Sequence, residues 1–137
     1  MISGVGSVAV LSREPRKLAQ WYSEKLGFEI LGEAGHTIYV RPKGAQNVLL
    51  HICGKCDSWE NDKPGGRTGI WLHCGKVSMN RDAKTGQLLP FSDPSEVEKT
   101  FMELKRSGVE FSEELTTTDW GKYAIMQDPE GNEFEIG

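Results

Sequence analysis

The chain has 137 residues, 37% hydrophobic and 26% charged, which suits one soluble folded domain and not a disordered segment. A net charge of -4 and a pI near 5.4 leave no basic footprint for nucleic acid or an anionic membrane. No apolar run approaches the roughly 20 residues of a membrane span. Three cysteines, an odd number, do not suggest a secreted disulfide framework. The opening stretch MISGVGSVAVLSRE has no basic start followed by a long apolar run. A cytoplasmic protein with reduced thiols is expected.

Residues 4–11, GVGSVAVL, read as a strand in which Val8 and Val10 alternate with Ser7 and Ala9. A helix follows in EPRKLAQWYSEKLG, with Ser12 as its expected N-cap, Pro15 in the first turn and Gly27 at the stop. Leu18, Trp21, Tyr22 and Leu26 fall at helical spacing and form one apolar stripe. FEIL, HTIYVR and NVLLHIC then read as three short strands, punctuated by Gly32, Gly35, Pro42 and Gly44. Residues 54–66 are polar and rich in Gly and Pro, a linker.

After the linker the pattern returns. TGIWLHCGKV is a strand candidate, and residues 78–92, SMNRDAKTGQLLPFS, read as an inserted loop long enough to act as a lid. DPSEVEKTFMELKRSG is a helix with Asp93 at the cap, Pro94 first, Glu96 in capping-box position and Gly108 at the stop. Val97, Phe101 and Leu104 are its apolar stripe. VEF, YAIMQ and EFEI follow as strands. The order is therefore β-α-β-β-β twice, and both helices exit into Gly-apolar-Glu-apolar. This predicts an α+β domain of two βαβββ modules, the first over about 1–56, the second over about 67–137. In the last strand Phe134 and Ile136 should lie under a helix, with Glu133 and Glu135 on the opposite face. By the same parity His51 shares a face with Leu49 and Cys53. Sheet edges left by each module favour a homodimer.

The stretch LHICGKC holds His51, Cys53 and Cys56 and has three readings. A structural zinc site wants a second ligand pair, and only the adjacent His73 and Cys74 are available for it, on opposite faces of a strand. A redox CxxC belongs at a helix start, whereas this one leaves a strand for a linker. Cys53 and Cys74 as small buried apolar residues is the simplest account. His36 follows Gly35 and reads as a turn residue. Trp59, Trp71, Trp120 and Tyr39 are candidates to line a pocket for an aromatic or aliphatic ligand, or to serve as core.

The two modules, with WYSEKLGFEIL after the first strand and DWGKYAIMQDPEGNEFEI at the end, resemble the vicinal oxygen chelate superfamily. That group includes glyoxalase I, bleomycin and fosfomycin resistance proteins and extradiol dioxygenases. The Asp128-Pro129-Glu130-Gly131-Asn132 turn is the most specific part of the likeness. The resemblance implies a cup-shaped cavity of eight strands. In metal-using members the first and last strands of each module carry ligands for a divalent cation (Zn, Ni, Co, Mn or Fe). Such an ion polarises two neighbouring substrate oxygens. Carried over by position, His51 and Glu135 match. Ser7 stands in the first-strand place, where a neutral hydroxyl is a poor ligand. Leu72 stands in the fifth-strand place, with His73 one residue off; a bulge in WLHCGK would bring His73 inward. The implied site is thus His51, Glu135 and His73 for metal, Glu135 also as a catalytic base, and Ser7, Tyr39, Trp71, Leu72 and Trp120 lining the pocket. Two functions follow from the resemblance. One is a metal-dependent lyase or isomerase acting on a small oxygenated molecule. The other is a metal-free protein that binds a small molecule.

Overall fold

The computed structural model describes residues 7–45, 49–54, 63–81, 84–86 and 88–137. The architecture is α+β, two four-stranded sheets each with one helix, and the chain separates into two compact units. Among the described residues no helix is long and apolar enough to cross a membrane. The expected strand residues 4–6, 47 and 48, together with Cys56 and Trp59, lie outside the described residues.

The first unit comprises Met1–Gly66 and the turn Asp128–Asn132. Its elements are β1 (Ser7–Leu11), α1 (Pro15–Leu26), β2 (Phe28–Ala34), β3 (Thr37–Pro42) and β4 (Leu49–Cys53), with sheet order β1-β4-β3-β2. β1 runs parallel to β4 with Ala9 opposite His51, and the other pairs are antiparallel. A parallel pair needs a crossover, and α1 with β2 and β3 supplies it. Leu18, Ala19 and Tyr22 bury one face of α1, and Val10, Val40, Leu50 and Ile52 are buried in the sheet. Leu50 and Ile52 thus point away from the half-buried His51, as strand alternation requires.

The start of α1 differs from expectation. Ser12 is not the N-cap, because Pro15 forces its predecessor out of helical geometry. Glu14, at φ -132°, becomes the N-cap, and its side chain makes no capping bond. The N–H groups leading into the helix are met from far away in the chain, with Ser12 Oγ also accepting from the Glu14 N–H at 3.1 Å. Glu130 Oε2 accepts from the backbone N–H of Arg13 at 2.7 Å. Glu130 Oε1 accepts from the Ser12 hydroxyl at 2.7 Å and from the Glu14 N–H at 3.1 Å. A carboxylate at this end of a helix is also favoured by the helix dipole. Gly27 ends the helix at φ +69°, the left-handed C-cap that glycine adopts without cost to a side chain.

The turn that supplies Glu130 is built around Asp128, which is buried. Its Oδ1 accepts from the N–H groups of Glu130 (2.9 Å) and Asn132 (3.0 Å), and its Oδ2 from Tyr22 Oη (2.8 Å) and Asn132 Nδ2 (2.7 Å). Burial, and then the Asp128 charge, push the Tyr22 phenol well above its usual range. The most recognisable motif of the sequence is therefore a brace for α1.

The second unit comprises Arg67–Gln127 and Glu133–Gly137. Its elements are β5 (Gly66–Leu72), β6 (Val77–Arg81), β7 (Leu88–Ser92), α2 (Pro94–Arg106), β8 (Glu110–Thr117), β9 (Lys122–Gln127) and β10 (Asn132–Ile136). The main sheet has the order β5-β10-β9-β8, the same arrangement as in the first unit. Asp93 caps α2 by accepting from the Ser95 N–H at 2.8 Å, and Val97, Phe101 and Leu104 are buried, as the spacing predicts. Phe134 pairs with Met126 and Ile136 with Ala124, and all four are buried.

Residues 78–92 are not a simple loop. β6 and β7 pair antiparallel from Val77–Ser92 to Arg81–Leu88, forming a separate hairpin. Both strands of a two-stranded ribbon are edges, so Pro90 is tolerated in one of them. β8 also runs further than VEF, to Thr117, with register irregularities between Phe111 and Thr116.

Candidate functional site

Each unit presents one sheet face that its helix does not cover. In the first unit that face carries Ser7, Tyr39 and His51. The parallel register that sets Ala9 beside His51 places Ser7 within reach of the ring, and Ser7 Oγ lies 3.0 Å from His51 Nδ1. Tyr39 is the register partner of His51 across β3 and β4, with ring centroids 6.1 Å apart. Cys53, next but one along β4, is buried and receives the Thr37 hydroxyl at 3.7 Å. It behaves as a packed strand end.

In the second unit the uncovered face holds a concavity of about 170 Å³, lined by Arg67, Gly69, Ile70, Trp71, Ile125, Glu133 and Glu135. Its shape depends on Gly69, which adopts φ +71° within β5. A Cβ there would meet nothing within 4 Å, so the left-handed backbone, not crowding, calls for glycine. The kink interrupts the alternation of β5, and Ile70 and Trp71, neighbours in sequence, both reach the concavity.

Trp71 begins a run of rings. Its centroid is 5.4 Å from that of His73 and 5.9 Å from Trp120, and Trp120 stacks on Tyr123 at 5.6 Å and 16°. The imidazole of His73 is thus engaged with the indole, beyond the end of β5 at Leu72. Leu72 gives its carbonyl to the Gly137 N–H at 3.1 Å. Cys74 is buried, and burial raises its thiol pKa above the usual value.

The carboxylates on this face are partnered unequally. Glu113 accepts from the Tyr123 hydroxyl, a bond that pushes the phenol pKa up. Glu133 accepts from Ser112 and from Gln127 Nε2, and these bonds, with Arg67 nearby, hold its carboxyl below the usual range. Arg67 reaches both, Nη2 at 3.9 Å from Glu113 Oε2 and Nε at 3.6 Å from Glu133 Oε2. Among the described residues, no hydrogen bond or ion pair reaches Glu135. Arg67, Glu113 and Tyr123 were not singled out from the sequence. Glu113 falls in the part of β8 that reads as polar and unpatterned, and the register shift after Phe111 turns it to the uncovered face.

For a divalent cation the donor set fits poorly. Ser7 offers a neutral hydroxyl already within hydrogen-bond distance of His51, and Leu72 offers no donor atom. Among the described residues, no three His, Cys, Asp or Glu side chains gather closely enough to hold a metal ion.

This arrangement can be set against known proteins. The family model for the glyoxalase/bleomycin resistance protein/dioxygenase superfamily matches residues 4–136. The chain belongs to that superfamily. Among superfamily structures, it superposes on a member from Sphaerobacter thermophilus DSM 20745 with a TM-score of 0.69, at 26% identity over 99% of this chain and 97% of that one. The antibiotic binding protein TnmS3 from Streptomyces sp. CB03234 gives a TM-score of 0.70 at 26% identity, covering 99% and 95% of the two chains. The uncharacterized protein YetH of Bacillus subtilis (strain 168) is 26% identical over 134 residues, 98% of this chain and 97% of YetH.

Proposed function

We propose that this superfamily member binds a small organic molecule without the help of a metal ion. The observation that carries the reading is the loss of donors where the family resemblance expects ligands. The first strand of one module has Ser7, hydrogen-bonded to His51, and the first strand of the other has Leu72. The aromatic run of Trp71, Trp120 and Tyr123 beside a concavity supports a ligand held by ring contacts. The likeness to an antibiotic binding protein at 26% identity adds to it. An imidazole at 51 and a carboxylate at 135, the two ligand positions that match the family, favour the competing reading of a metal-dependent lyase or isomerase.

The deciding experiment measures metal content of tag-free protein by mass spectrometry, for the wild type, His51→Ala and Glu135→Gln, after incubation with zinc, nickel, cobalt, manganese and iron. The proposal expects far less than one equivalent in all three proteins, with unchanged unfolding midpoints after supplementation. Stoichiometric metal in the wild type, lost in both variants, would establish the competing reading.

A further inference from the structure

We infer that the concavity of the second unit selects organic cations with a flat apolar body, with Glu135 as the counter-charge. This rests on the reading of a metal-free binder and names the class of molecule bound. Three features converge on it. The face carries three carboxylates, Glu113, Glu133 and Glu135, and among the described residues Arg67 is the only cationic side chain lining the concavity. That guanidinium is directed to Glu113 and Glu133, both of which also have neutral donors. Glu135 lines the concavity together with Ile70, Trp71 and its register partner Ile125, with no hydrogen bond or ion pair of its own among the described residues.

A carboxylate beside apolar rings, half removed from water, is stabilised by an incoming positive charge and destabilised by a negative one. The ring faces act in the same direction, because a tryptophan π-face attracts a cation. Trp71 lines the concavity and meets Trp120 edge-to-face, with Tyr123 stacked on Trp120 behind it, so a planar body entering the concavity meets the Trp71 indole backed by two further rings. A bare metal ion would find Glu135 as the one carboxylate of the lining not already engaged, since Glu133 is held by Ser112, Gln127 and Arg67. A molecule carrying its charge on or next to a ring satisfies Glu135 and the indoles together.

The test titrates the full chain calorimetrically at pH 8 with three probes of matched size: 1-methylquinolinium, a permanent cation; quinoline, neutral at this pH; and naphthalene-2-carboxylate, an anion. The cation should bind about tenfold more tightly than quinoline, and the anion should bind least. Glu135→Gln, nearly isosteric, should reduce cation affinity to the level of quinoline and leave quinoline unchanged. Arg67→Gln, at an exposed side chain, should strengthen cation binding a few-fold and serves if Glu135→Gln does not fold. Raising the salt concentration should weaken the cation alone. The inference is overturned if the anion binds as well as the cation, if the Glu135→Gln and Arg67→Gln variants leave the charge preference unmoved, or if none of the three probes binds at millimolar concentration. Binding of quinoline with no charge preference would overturn the cation assignment and leave the metal-free binder standing. Cation binding that requires added zinc would overturn both.

Discussion

Tyr22→Phe removes one oxygen atom and tests the brace that carries α1. In the native unit the Tyr22 hydroxyl donates to Asp128 Oδ2 at 2.8 Å, with the tyrosine wholly buried and Asp128 nearly so. The variant keeps the ring, including its contact with Phe28 at 5.7 Å between centroids, and deletes one of the donors that hold a buried carboxylate. A hydrogen bond to a charged acceptor is worth about 1.5–3 kcal/mol. For 137 residues the unfolding entropy is about 0.29 kcal/mol/K, so the midpoint should fall by about 5–10 °C. Urea unfolding followed by circular dichroism gives the free energy directly, and a cycle with Asp128→Asn isolates the pair. The pH dependence adds a second requirement. The phenol pKa is raised in the folded state above its unfolded value of about 10. Stability from this bond is therefore fully present below pH 10 and declines as pH rises above it, because the unfolded chain releases the proton while the folded chain keeps it. The gap between wild type and variant should narrow above pH 10. A loss smaller than about 0.5 kcal/mol, well under the usual value of such a bond, or a gap that stays constant through that range, would refute the argument.

Glu130→Ala should destabilise the first unit by about 1.5–3 kcal/mol, the usual worth of a hydrogen bond to a charged acceptor, seen as an earlier urea midpoint with hydrogen exchange raised first at Arg13 and Glu14. Gly69→Ala should cost about 1–2 kcal/mol from the left-handed backbone alone. No clash accompanies it, since its Cβ enters open space, so the crystal structure of the variant should show a shifted β5 rather than displaced neighbours. Acid titration should lower stability as pH falls below about 4.5, where the carboxyls of Glu133 and Asp93, held below their usual range in the folded state, take up protons on unfolding. Glu133→Gln should flatten that dependence.

What could be read from the sequence was whatever the local chain decides. α2 shows this: Asp93, Pro94, the Val97/Phe101/Leu104 stripe and the glycine at 108 are neighbours, and the helix forms where they place it. The order of strands was legible for the same reason, because Phe134 and Ile136 alternate with Glu133 and Glu135 in full view. The start of α1 was not, since its cap comes from Glu130, 116 residues after Glu14. No pattern within the helix announces a partner supplied by tertiary structure. Strands that carry polar side chains on the uncovered face also escape a hydrophobic pattern. β8 is irregular between Phe111 and Thr116, so Phe111 packs on Phe101 while Glu113 faces Tyr123, and the run SEELTT reads as loop. The hairpin of β6 and β7 was hidden by its polar centre, and the kink at Gly69 cannot be told from any other glycine in a strand until φ is known.

The ten-residue segment from Asp128 to Gly137 states the division between scaffold and site in one line of carboxylates. Asp128 takes hydrogen bonds from Tyr22, Asn132 and two backbone N–H groups. Glu130 takes three, all at the entrance to α1. Glu133 is held by Ser112, Gln127 and Arg67. Glu135 takes none among the described residues, although it is half-buried beside Trp71 and Ile125. The fold supplies protein donors to each of the other three, whereas the half-exposed Glu135 is left to solvent. A solvent-facing carboxylate next to an aromatic wall is the feature on which the proposed recognition of a flat organic cation rests.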